Sequence, residues 1–157
     1  MTPAVELLRR LGIEHEIVQY EHDPNHPSFG QEAVEALGIE PDSTFKTLMV
    51  SLDDGRHAIG VVPVACTLDL KAIAAAAGAK RAQMTDPAEA ERRSGYVLGG
   101  ISPFGQKQTL PTFVDEWATA LDRVYCSGGR RGLEVVVSPR AFEIALDATF
   151  PAIAVWG

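Results

Sequence analysis

The chain has 157 residues, with 14 Lys and Arg against 21 Asp and Glu, and a formal net charge of −7. A length inside the ~100–200 residues of an ordinary domain leaves room for one full core, and 46% hydrophobic with 22% charged residues excludes a disordered or collagen-like chain. No run approaches the ~18–20 apolar residues of a membrane span, and an acidic chain is a poor non-specific binder of DNA phosphates.

The first ten residues hold no apolar stretch behind a basic start, and Cys66 and Cys126 lie far apart without a pairing pattern. Buried thiols in a reducing cytoplasm are the expectation.

In chain order, Pro3 suits a first helical turn. Val5, Leu7, Leu8 and Leu11 give the spacing of a short amphipathic helix closed by Gly12. Glu14–Tyr20 reads as a strand, His22–Pro27 as a proline-bearing loop, and Ser28–Leu37 as a second helix stopped by Gly38. Phe45–Leu52 and His57–Val64 are apolar, β-branched runs around Asp53-Asp54-Gly55, a strong hairpin signal. Asp69 is placed to cap a helix over Leu70–Ala77. A short strand at Lys80–Met84 follows, then a helix opened by Asp86-Pro87. Tyr96–Ile101, Leu110–Val114 and Arg123–Cys126 read as strands, the first of them glycine-rich. Leu133–Val137 should pair with Arg123–Cys126 across a Ser127–Gly132 turn. Ser138-Pro139 starts a last helix, and Ala152–Trp156 makes a final strand. Irregular alternation with two hairpins predicts one α/β domain over residues 1–157 with a mixed sheet rather than a doubly wound one.

Charge is unevenly placed. Residues 1–42 carry nine acids against Arg9 and Arg10, whereas residues 80–131 carry eight cations against six acids. A locally basic face can steer a phosphate-bearing ligand, or it can be an ordinary solvated surface.

Several familiar constellations fail. His22 and His26 have the spacing of helical zinc ligands, but Pro24 and Pro27 argue against a helix and no further ligands complete a metal site. Gly100-Ile101-Ser102-Pro103-Phe104 lacks the closing glycine of a nucleophile elbow, and every histidine precedes that serine. In the same stretch, Gln106 separates Gly105 from Lys107, which spoils a P-loop. Neither cysteine has a neighbouring base to activate it.

What remains is a lysine, two glycine turns and a tyrosine. On a two-residue period Lys46 shares a strand face with Leu48 and Val50, so its ammonium is either at a solvated strand end or aimed into a cleft. Gly99-Gly100-Ile101-Ser102-Pro103-Phe104-Gly105 can converge backbone N–H groups on an oxyanion, or it can simply be a tight connection. Ser127-Gly128-Gly129-Arg130-Arg131-Gly132 carries two guanidiniums suited to phosphate, or is only a hairpin turn. The Tyr20 hydroxyl ends a strand, facing a pocket or solvent.

These residues resemble the YbaK family of aminoacyl-tRNA deacylases, in particular its Cys-tRNA(Pro) deacylase branch. The likeness runs through Phe45-Lys46-Thr47-Leu48, Val62-Pro63-Val64, Leu68-Asp69-Leu70-Lys71, the long block Gly95–Lys107, Leu110-Pro111-Thr112 and Ser127–Leu133, in essentially the whole chain. It implies an editing domain with a mixed, barrel-like sheet surrounded by helices, acting in trans to remove cysteine from proline tRNA, without a cofactor. It implies that Lys46 is the functional lysine, that Tyr20, Thr47 and Ser127 line the pocket, and that Gly99 and Gly100 wall the scissile ester, with Ile101 and Ser102 orienting it. The family often has aspartate where this chain has Glu134, so that carboxyl is displaced by a methylene. Arg92, Arg93, Arg130 and Arg131 are expected nearer the tRNA phosphates. The implied partners are the acceptor end of an aminoacyl-tRNA and a prolyl-tRNA synthetase. In this branch the substrate's own thiol attacks its carbonyl, so no protein nucleophile is needed. A branch that clears alanine from proline tRNA with water, and a binding module that has lost the reaction, are the competing expectations.

Overall fold

The computed structural model describes the whole chain, Met1–Gly157. Its helices form where caps and apolar spacing coincide. Thr2 accepts a hydrogen bond from Val5 N–H and Pro3 opens α1 (Pro3–Arg10), which buries Ala4, Val5 and Leu8. Ser28 caps α2 (Phe29–Leu37), which ends at Gly38 in the left-handed conformation, φ 64°. Asp69 caps α3 (Leu70–Ala76) through Ala72 N–H. Helix α4 (Pro87–Ser94) has the predicted first-turn proline, but Asp86 makes no side-chain cap bond. Helix α5 (Arg140–Leu146) follows Pro139.

Nine strands make three sheets. Strands β1 (His15–Gln19), β8 (Leu133–Val137) and β7 (Val124–Arg130) form an antiparallel sheet in the order β1-β8-β7. Strands β2 (Phe45–Leu52), β3 (His57–Pro63), β5 (Ala82–Met84) and β6 (Thr112–Val114) form a mixed sheet, β5-β2-β3-β6, in which β3 and β6 run parallel. Strands β4 (Cys66–Leu68) and β9 (Ala154–Trp156) make a two-stranded ribbon. A single bridge, Thr44 to Tyr125, joins the first two sheets. The mixed α/β architecture with surrounding helices is the one expected.

The β2–β3 hairpin reads as continuously apolar because both of its faces are covered. Phe45, Met49, Ile59 and Val61 enter the main core with Val135, Val137, Phe104 and Phe142. Val50, Leu52, Ala58 and Val62 pack instead on Ile73 of α3, with Phe113 and Ile153. Helix α3 comes so close that a Cβ on Gly60 would lie 2.9 Å from Ile73 Cδ1.

Two expectations need correction. Tyr96–Ile101 is not a strand but a string of turns, with Gly95 and Gly99 at φ 81° and 84° and Gly100 N–H bonded to Val97 O. Its apolar residues divide: Tyr96 is buried and donates its hydroxyl proton to Phe104 O, whereas Val97 and Leu98 are 57% and 36% exposed. The Ser127–Gly132 segment is mostly strand, because β7 continues to Arg130 through a bulge and only Arg131-Gly132 turn. Cys66 starts a further short strand, and its partner is the predicted final strand, β9.

Buried Asp115 ties this ribbon down. Its Oδ1 accepts from Ile153 and Ala154 N–H, and its Oδ2 accepts from Trp117 N–H in a short 3₁₀ helix, Glu116–Ala120. Replacing Asp115 with Ala orphans three donors and is expected to cost about 3 kcal/mol, read as a lowered urea midpoint at unchanged slope.

Candidate active site

A gap opens where β2 changes partner. Leu52 N–H donates to Arg56 O, Val64 N–H to Thr44 O and Thr85 N–H to Met49 O. That phase turns the main-chain groups of Lys46 and Leu48 toward β3 and those of Thr47 toward the opposite edge. On that edge β2 touches β7 at Thr44 and pairs with β5 only from Val50 onward. Between them no ladder forms, so the Thr47 main chain faces an unladdered stretch of the edge. The Thr47 hydroxyl is buried without a hydrogen-bond partner.

A cavity of about 360 Å³ occupies this gap. Strand β2 and the residue before it supply Thr44 through Leu48, and the facing strands supply Ser127 and Glu134, which pair across β7 and β8. Tyr20, just beyond β1, is placed by its N–H bond to Gly132 O. The turns after α4 bring Leu98, Gly99 and Ile101 to the rim, and the start of α2 closes the other side with Ser28, Phe29 and Gly30. Gly30 is needed there, since a Cβ would lie 2.7 Å from Val64 Cγ1.

The structure therefore gathers Lys46, Thr47, Tyr20, Gly99, Ile101, Ser127 and Glu134 in one place. Gly100 and Ser102 sit behind the rim. A Cβ on Gly100 would lie 2.7 Å from Arg130 Cα, and fully buried Ser102 accepts from Phe104 N–H with its hydroxyl. None of the four arginines lines the cavity. Arg92 and Arg93 lie on α4 against Glu89, at 3.5 and 3.2 Å. Arg130 is exposed at the end of β7, and Arg131 donates from Nε to Leu98 O at 2.8 Å.

Burial sets the electrostatics. It pushes the half-buried Lys46 ammonium below the usual lysine range, with the nearby Cys66 acting weakly the other way. Lys46 has no carboxylate within ion-pair distance. Glu134, 6% exposed, is pushed up to about 8 by burial, so its carboxyl is largely neutral at pH 7 and can donate a hydrogen bond. Burial also raises the Tyr20 hydroxyl, with Glu134 adding to it. The Ser127 hydroxyl accepts from Gly129 N–H at 3.1 Å, leaving its proton for a partner in the cavity.

Two residues that sequence reasoning missed hold the α2 wall. Glu32 is buried on α2 and takes His22 Nδ1 at 2.8 Å and Asp23 N–H at 2.7 Å. Burial works to raise its carboxyl, but those two bonds hold it below the usual range. Phe29 faces the rim beneath Arg131. The i,i+10 pairing of His22 with Glu32 crosses a loop, so no periodicity reveals it. A second cavity of about 330 Å³, between α1, residues 103–112 and α5, holds none of the predicted site residues.

The wall of the main cavity carries no cysteine and no histidine. It offers hydroxyls, a lysine and a carboxyl, a set that can hold a polarised group against fixed donors but does not contain the histidine of a Ser-His-Asp triad. A family model described as "Aminoacyl-tRNA editing domain" matches residues 23–143. This chain belongs to that family, the YbaK/Cys-tRNA(Pro) deacylases, whose activity as a family is trans-editing deacylation.

A protein of Enterococcus faecalis described as "Putative Cys-tRNA(Pro)/Cys-tRNA(Cys) deacylase EbsC" is 30% identical over 152 residues, covering 97% of this chain and 92% of the relative. A proline–tRNA ligase of Shouchella clausii is 31% identical over 123 residues, which span 72% of this chain but only 20% of the ligase. Among solved structures, one described as "a putative trans-editing enzyme for prolyl tRNA synthetase" superposes with a TM-score of 0.84 at 21% identity, over 99% of both chains. Another, of a hypothetical protein, gives 0.86 at 23% identity over 98% and 99%. Both share the fold.

The Glu134 carboxyl has a measurable consequence. Between an ordinary glutamate value and about 8 the native chain keeps a proton that the unfolded chain has lost. This group's contribution to stability is complete at acid pH, falls as pH rises through that window, and is flat above it. The expected outcome is that wild type loses stability relative to Glu134→Gln between pH 5 and pH 8, measured by urea unfolding at each pH. Parallel profiles for the two proteins would remove the assignment.

Proposed function

We propose that this chain removes cysteine from mischarged proline tRNA in trans, with the substrate's own thiol as nucleophile. The observation that carries the reading is the open edge of β2: the Thr47 hydroxyl buried without a partner, beside a lysine without a carboxylate, opposite the Gly99 rim. In this reading the terminal ribose ester enters the cavity with its carbonyl oxygen toward the Thr47 edge. The cysteinyl sulfur attacks the carbonyl carbon, the bond from that carbon to the ribose oxygen breaks, and the ribose oxygen takes up the thiol proton. The products are a cyclic thiolactone and free tRNA. Lys46 stabilises the developing negative charge, and its half-buried setting strengthens that field. Tyr20, Ser127 and the neutral Glu134 supply donors that fix the aminoacyl group. A cavity of about 360 Å³ suits an aminoacyl ribose rather than a longer chain of nucleotides.

The acidic balance of −7 supports recognition of the acceptor end only, with few phosphates neutralised and tRNA selectivity borrowed from a prolyl-tRNA synthetase. The 31% likeness to part of a proline–tRNA ligase supports that partner.

A second reading rests on Glu134. A buried carboxyl that titrates near 8 can also serve as a general base for water on an alanyl ester. The two readings diverge under test. Single-turnover deacylation of cysteinyl-, alanyl- and seryl-tRNA is expected to show activity only on the thiol-bearing substrate, and Glu134→Gln is expected to retain most of it. Cleavage of alanyl-tRNA that rises toward pH 8 and is abolished in Glu134→Gln would favour water. In either case Lys46→Ala is expected to lower the rate ~10²–10³-fold. A rate within a few-fold of wild type would deprive Lys46 of its role.

A further inference from the structure

The rim of the cavity at Leu98-Gly99 belongs to no ladder, yet it forms one wall of the site. Leu98 is held at both of its main-chain groups: its N–H donates to Glu91 Oε2 at 2.8 Å, and its carbonyl accepts from Arg131 Nε at 2.8 Å. The same guanidinium lies over the Phe29 ring, 4.2 Å from its centroid. Gly99 is wedged between the two. A Cβ there would fall 2.6 Å from Phe29 Cγ and 2.7 Å from Arg131 Nε, at a φ of 84° that already favours glycine. Arg131 itself sits in the β7–β8 turn, whose next residue, Gly132, accepts the Tyr20 N–H. Tyr20, the Leu98-Gly99 rim and the start of α2 are thus three walls on separate elements, and one turn connects them.

We propose that Arg131 is a positioning residue of this site, pinning the Leu98-Gly99 rim against Phe29, and not a phosphate contact. The arrangement uses what distinguishes arginine from lysine: a planar face for the ring and an Nε–H in fixed relation to it. A phosphate needs only a positive point within reach, which lysine also supplies. Placement of the rim matters because a misplacement of about 1 Å at a positioning wall can cost ~10²-fold in rate. The consequence for turnover rests on the deacylase reading given above; the clamp itself does not.

The test uses the full chain with Arg131→Lys and Phe29→Leu, the second keeping the charge and most of the apolar volume. Amide exchange of the free protein is followed at residues 98–101. Single-turnover deacylation of cysteinyl-tRNA is measured against enzyme concentration, and affinity for uncharged tRNA against salt. Arg131→Lys is expected to speed exchange at those amides and to lower the saturating rate about tenfold or more. Half-saturation should stay within about threefold, and the log–log salt slope should be unchanged. Phe29→Leu should reproduce part of both effects, and the double variant should lose less than the two losses combined. Wild-type exchange in Arg131→Lys overturns the proposal, as does a wild-type saturating rate in that variant. So does the phosphate signature in Arg131→Gln, a salt slope shallower by about one with the rate at saturation intact. If wild type cleaves no aminoacyl ester while exchange still quickens in Arg131→Lys, the deacylase reading fails and the clamp stands.

Discussion

Everything in this site depends on β2 leaving one partner before it meets the next. An internal strand normally satisfies both edges of its backbone, and an unpaired buried N–H costs free energy comparable to a lost hydrogen bond. Here the edge is used at Thr44 by Tyr125 and from Met49 onward by Thr85 and β5, and the stretch between is left open. Beyond that bridge the two sheets share no ladder, and the start of α2 and the turns after α4 line the cavity there. A donor already fixed by the strand does not have to reorganise when a ligand arrives, which is why such an edge can stabilise an oxyanion.

The side chains follow the same logic. Glu32 shows what this fold does with a buried carboxyl that serves structure: it pairs it with a histidine and a backbone N–H. Glu134 and Lys46 receive no such treatment. One is forced neutral by burial and the other is destabilised as a cation. Holding two ionisable groups against their charged forms in one cavity costs stability, and local violations of this kind mark functional positions. The cost is borne by a well-packed surround. Sheet β5-β2-β3-β6 is covered on both faces, and the segment that follows the Gly99 turn is tied together by Tyr96, Ser102 and Gln106 through Phe104 O, Phe104 N–H and Ser102 O.

Much of this was legible in the sequence wherever the determinant is local. The Asp53-Asp54-Gly55 hairpin, the cap at Asp69, and the glycine stops at 12 and 38 depend on a few adjacent residues, and they appear where the chain predicts them. Two-residue alternation placed Lys46 with Leu48 and Val50, and those apolar neighbours do pack on the second core. Long-range facts were silent. Nothing near Cys66 says that the final strand is its partner, and nothing near Tyr96 says that its hydroxyl is needed by Phe104. The 96–101 run looks like a strand because apolar residues recur, but the left-handed Gly99 and the close approach of Gly100 to Arg130 forbid a ladder there. Arg131 reads as a surface cation for the same reason: its partners, Leu98 and Phe29, are brought to it only by the tertiary fold.

The most direct measurement is a crystal structure with a 3′-amide-linked cysteinyl-adenosine, an uncleavable mimic of the charged tRNA end. The account predicts its carbonyl oxygen within hydrogen-bond distance of the Thr47 main chain or hydroxyl, with the Lys46 ammonium alongside and the ribose at the Gly99 rim. Occupation of the cavity between α1 and α5 instead, or a pose that leaves the open β2 edge to solvent, would contradict it.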